Sequence, residues 1–105
     1  MAYPSKYKDA QVEILGVPVN PAKQLVAGSA SSSTALTSTV QRISMRAVGA
    51  DIRFSIGTGT QTANGNTSPF IANGERLDFA VPEGSNIAVI RDGTVNGTLE
   101  LTELI

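Results

Sequence analysis

The chain has 105 residues, 16% of them charged, a formal net charge of -1, and neither histidine nor cysteine. That length suits one domain burying roughly two-thirds of its unfolded surface. The charge balance excludes the basic footprint of a non-specific nucleic-acid binder, and the missing side chains exclude disulfides, thiolate metal sites and imidazole catalysis.

The chain opens with "MAYPSKYKDAQ", where two lysines have no apolar run behind them, so it does not read as a signal peptide. Residues 1–11 read as an extended arm without a core of its own. Tyr3 and Tyr7 give the arm anchors, because tyrosine is favoured at interfaces. Residues 12–105 read as one β-sandwich domain. Its first run, "AQVEILGV", places Val12 and Ile14 on one side of a strand. "PAKQLVAGSA" makes no helix, since Gly28 and a serine run cut it short. Residues 28–39, "GSASSSTALTST", have a linker's composition but lie inside the domain, which suits a long loop or an edge strand. No stretch approaches the length of a membrane span.

From residue 40 onward the period is two. Ile43, Met45 and Ala47 alternate with Arg42, Ser44 and Arg46, and Ile52, Phe54 and Ile56 alternate with Asp51, Arg53 and Ser55. A two-residue turn at Gly49-Ala50 would set Ala47 against Ile52, Met45 against Phe54 and Ile43 against Ile56. It would also set Arg46 opposite Arg53 on the outer face. These two arginines either find acids on adjacent strands or await an acidic partner, and they are candidate interaction residues. The alternation returns at Leu77, Phe79 and Val81, at Ile87 and Val89, and at Leu99 and Leu101. The linkers "PEGSN" and "DGTVN" would close hairpins or cross between sheets. Seven or eight short strands predict an all-β fold, a jelly-roll-like sandwich or a small Greek-key barrel.

The segment "GTGTQTANGNTS" (residues 57–68) could suggest a phosphate cradle, but the spacing disagrees. A dinucleotide fingerprint starting at Gly57 needs glycine where Thr62 stands, and no lysine follows Lys23 to complete a P-loop. It reads as a flexible connection exposed at one end of the sandwich. Nucleophilic catalysis would need serine or threonine with a lysine base, and Ser5 beside Lys6 in the arm is the nearest pair. Asp78, Glu100 and Glu103 supply carboxylates, but the alternation points Asp78 and Glu100 away from the core. No Asp-x-Asp-x-Asp cluster suggests calcium. The sequence therefore names no catalytic residue, cofactor or metal, and predicts a protein that is not an enzyme. The charged fraction is below the roughly 25% usual for soluble domains, which suits either a surface packed against others or a monomer with a neutral polar exterior. Residues 1–49 hold five basic and two acidic side chains, and residues 50–105 hold three and seven. Folding is expected to interleave them.

The run "ADIRFSIGTGTQTANGNTSPFIANGERLDFAVPEGSNIAVIRDGTVNGTLELTEL" resembles small virion proteins of tailed bacteriophages over residues 50–104, in its order of strand, polar loop, "Pro-x-Gly" and "AVIR-DG-x-x-x-GTL-x-x-TEL". The resemblance implies a capsid decoration, or cement, protein made in the host cytoplasm and bound outside the shell. Its partners would be the major capsid protein and further copies of itself, as a trimer or dimer, with no nucleic acid and no membrane. A tail or neck component carries the same resemblance. A carbohydrate-recognising module, with "GTGTQTANGNTS" and "IANGE" as contact loops, is the alternative of another class.

Overall fold

The structure is a computed structural model and describes residues 17–104. Tyr3, Tyr7, Val12 and Ile14 lie outside the described residues, as does the boundary between arm and domain.

Among the described residues there are eight strands and no helix. In chain order they are β1 (Lys23–Ala27), β2 (Ser32–Ala35), β3 (Arg42–Val48) and β4 (Ile52–Thr58), then β5 (Phe70–Ile71), β6 (Arg76–Ala80), β7 (Ser85–Arg91) and β8 (Gly97–Leu104). They form two antiparallel four-stranded sheets, ordered β1-β8-β3-β6 and β2-β7-β4-β5. The sheets pack face to face as a β-sandwich, and the predicted alternation supplies the inner faces. Ile43, Met45, Ala47, Leu99 and Leu101 of the first sheet are fully buried, as are Ile52, Ile71, Ile87 and Val89 of the second. Each such side chain larger than alanine contributes about 1.5–3 kcal/mol by leaving water.

The predicted 43–56 hairpin does not form. β3 and β4 lie in different sheets, so Gly49 turns an arch from one layer to the other. Met45 is paired with Leu77 on β6 and Leu101 on β8, and Phe54 with Val89 on β7. The hairpin pairings "PEGSN" and "DGTVN" offered are also absent, since both linkers cross between sheets. The physical reason is parity. An arch and a hairpin both leave alternate residues facing one core, so the apolar match cannot separate them. Gly49 does take the positive φ its turn requires, at 93°. Its N–H donates to Asn73 Oδ1 at 2.9 Å, which fastens the arch to the β5–β6 turn.

Two further segments take definite places. "KQLVA", for which no strand was predicted, is β1, with Leu25 and Ala27 in the core. The serine-rich tract supplies β2, an edge strand as one of its two readings had it.

Candidate interaction surfaces

The structure does not bring the two candidate arginines together. Arg46 is on the outer side of the first sheet and Arg53 on the outer side of the second, so they cannot be cross-strand neighbours. The expected acidic relief is present as an ion pair for Arg53. Arg53 Nε donates to Asp92 Oδ1 at 2.7 Å, and a second guanidinium nitrogen donates to the Ser68 carbonyl at 2.8 Å. The same guanidinium carbon lies 5.3 Å from the centre of the Phe70 ring, within cation–π range. Asp92 reaches this position because its N–H donates to the Asp51 carbonyl, continuing the β4–β7 ladder by one pair. Arg53 is therefore occupied within its own chain. Arg46 is exposed, opposite Arg76 on β6 and Glu100 on β8. The like-charge pair is thus Arg46 with Arg76, and Arg76 donates to Ser44 Oγ at 2.8 Å. Asp78 and Glu100 also face outward here, on opposite sides of β3 and two residues apart along it, roughly 12 Å by strand geometry.

The 57–68 segment is not an open loop at one end. From β4 it crosses the outer side of the second sheet and returns to β5. Gln61 accepts from Ser55 Oγ at 2.6 Å, and Asn86 Nδ2 donates to the Gly59 carbonyl at 2.7 Å. The Ala63 N–H donates to Ser31 Oγ at 2.9 Å, beyond β7 at the start of β2. Asn64 and Ser68 then close a tight turn, with Asn64 Oδ1 accepting from the Asn66 and Thr67 amides. Beneath this strap Ala88, on the outer side of β7, is fully buried. Segment composition reports polar groups, and here those groups hold the strap to the sheet.

Glu103, the third of the carboxylates the sequence offered, is set apart from Asp78 and Glu100 by its burial, which was not predicted. It is 1% exposed and accepts from Asn20 Nδ2 at 2.7 Å, the Thr37 N–H at 2.7 Å and Thr37 Oγ1 at 2.9 Å. Burial alone pushes its carboxyl up. The Thr37 amide, the Asn20 and Thr37 side chains and the Lys23 charge more than offset that, and the net shift is downward. The inward parity of Leu99 and Leu101 extends to Glu103, and that was the available signal. The cluster ties the chain before β1 and the β2–β3 connection to the end of β8.

Two of the concavities in the described surface lie beside these elements. A polar cleft of about 300 Å³ is lined by Gly49–Asp51, Asn73 and Asp92–Val95. Its donors and acceptors are largely used internally, Asp51 Oδ1 accepting from the Asn73 amide at 2.8 Å. An apolar groove of about 250 Å³ runs between Phe54, Ile56 and Pro69 on one side and Phe79–Pro82 on the other. Among the described residues no three metal-ligating side chains gather. Comparison of the chain with protein-family models, with curated proteins and with solved structures finds no match.

Proposed function

We propose that the protein is a non-enzymatic virion structural protein, a capsid cement that binds the outer face of a phage capsid shell as a homo-oligomer, on a jelly-roll sandwich. The observation that carries it is the strand order: among the described strands six of the seven connections change sheet, and only β4–β5 stays within one. This wrapping suits an eight-stranded jelly roll, an architecture used by viral capsid and lectin domains. The phage resemblance of residues 50–104 favours the first of these. The exposed first sheet, bearing Arg42, Arg46 and Arg76 among Asp78 and Glu100, is the face offered to a shell. Mixed charge on an exposed face suits register and specificity more than raw affinity.

Lectin domains keep the carbohydrate reading as a second one, with the cleft at Asn73 as its site. Of the two loops predicted to form that contact, only "IANGE" reaches the cleft. The test is quantitative mass spectrometry of purified virions separated into heads and tails. A cement protein appears in hundreds of copies with the heads. A few copies with the tails support recognition, and absence from virions defeats both readings.

A further inference from the structure

Proline 69 ends the β4–β5 ladder. The Phe54 N–H donates to the Pro69 carbonyl at 3.0 Å, but proline has no N–H to return to the Phe54 carbonyl. Past this point the chain leaves β4 and becomes the strap. Backbone groups of an antiparallel strand alternate in direction. Because Asp51 bonds toward β7 and Phe54 toward β5, the Ile56 N–H and C=O also point to the β5 side. Among the described residues, nothing pairs with them there. β4 thus has an open edge over Phe54–Ile56, and this edge forms one wall of the apolar groove. Phe79, 37% exposed and 5.7 Å from the Phe54 ring, stands on the other wall with Ala80 and Pro82. An open edge beside an apolar groove has the form of a strand-addition slot: main-chain bonds give affinity, and pockets for alternate side chains give specificity.

The slot calls for an extended segment with apolar residues at every second position. We infer that its occupant is the Val12-Glu13-Ile14 segment of a second copy of this chain, with Val12 and Ile14 set into the groove and Glu13 outward. Two observations select it. Ile14 and Val12 lie three and five residues before Val17, where the described sandwich begins, a reach of about 10–18 Å if extended, too short to carry both across to the slot of their own copy. The place where this segment joins the sandwich is also informative. Pro18 bridges Leu104 on the side of β8 away from β3, so the chain enters on the β1 flank, whereas the slot lies on the β5–β6 flank. On one copy, root and slot are separated by the width of a four-stranded sheet, roughly 15 Å. A neighbour set flank to flank presents its slot directly to the departing arm. Donor and acceptor on opposite flanks make a head-to-tail contact, which closes into a ring or continues as a chain. This goes beyond the capsid-binding reading and does not depend on it.

The chain's lack of cysteine makes disulfide trapping clean. Full-length Ile14→Cys and Ala80→Cys variants are mixed and oxidised, with Ile14→Cys plus Val95→Cys as the control pair. The expected result is a covalent heterodimer in excess over the control, and an Ile14→Asp variant whose mass by light scattering falls to a monomer with its β-sheet circular dichroism unchanged. No excess over the control overturns the inference. So does a double variant that cross-links only within one chain, which places the arm on its own sandwich, and so does an unchanged mass for Ile14→Asp. These measurements use no capsid, so a failed virion assay leaves them standing, and the converse holds too.

Discussion

Glu103 and Gly97, both on β8, show how single side chains set the terms of this fold. Glu103 can only accept hydrogen bonds, and the donors around it are an amide nitrogen, a side-chain amide and a hydroxyl. Its folded pKa lies below the ordinary 4.5, so the unfolded chain takes up the proton first. Its stabilisation is present above that value and is lost as pH falls through the lowered folded one. Urea midpoints should therefore drop as pH is lowered from 4.5. Glu103→Gln points an NH2 at existing donors, and should cost about 1–3 kcal/mol at neutral pH. It should also flatten the acid limb, and a variant as acid-sensitive as the parent contradicts the assignment. Gly97 acts through space. A Cβ there would lie 3.1 Å from Ala50 Cβ and 3.2 Å from both the Ala50 nitrogen and the Val48 carbonyl. Two of these are backbone atoms of the β3–β4 arch and its flank, which yield poorly. Gly97→Ala should cost about 1–3 kcal/mol by overpacking, read as a lower midpoint with an unchanged slope.

At the scale of elements, the strap over the second sheet gives the sharpest test of how Arg53 is used. If its guanidinium serves this chain, Arg53→Ala releases the Ser68 carbonyl and the Asp92 carboxylate together. Amide exchange at Ala63, Asn64 and Thr67 should then quicken while the β3 and β8 amides stay protected. If Arg53 instead waits for a partner, the strap amides are unaffected. Little of this was legible in the sequence. Asp92 is 39 positions from Arg53 and Ser31 is 32 from Ala63, distances at which composition carries no pairing information. Apart from the two-residue β5, too short to show alternation, strand positions from Arg42 onward were legible, because burial on one face imposes a period of two. Their partners were not: Ala47, Met45 and Ile43 match Ile52, Phe54 and Ile56 equally well across a hairpin or across a sandwich. β1 escaped because only Leu25 and Ala27 alternate before Gly28 interrupts.

For the molecule as a whole, the strand order interleaves the two halves of the chain. In the first sheet β1 and β3, from the first half, alternate with β8 and β6 from the second, and this sets basic residues such as Arg46 beside acids such as Glu100. The charge asymmetry along the sequence is thereby dispersed, at least across this sheet. The same order makes folding depend on contacts distant in sequence. β8 closes the first sheet by pairing with β1 at Leu25–Leu99 and with β3 at Met45–Leu101. Among the described strands no pair consecutive in the chain, other than β4 and β5, shares a ladder, so little can form before distant segments meet. Loop-closure entropy must be overcome before those contacts are made, and refolding should be slow, on the order of milliseconds to seconds. It should also be all-or-none. A chain ending at residue 96 loses an interior strand carrying Leu99 and Leu101, and leaves β1 without its only ladder partner among the described strands. The expected outcome is loss of the β spectrum and of cooperative unfolding. A truncated chain that still melts in a single sharp transition would show that the sandwich does not need β8 to close.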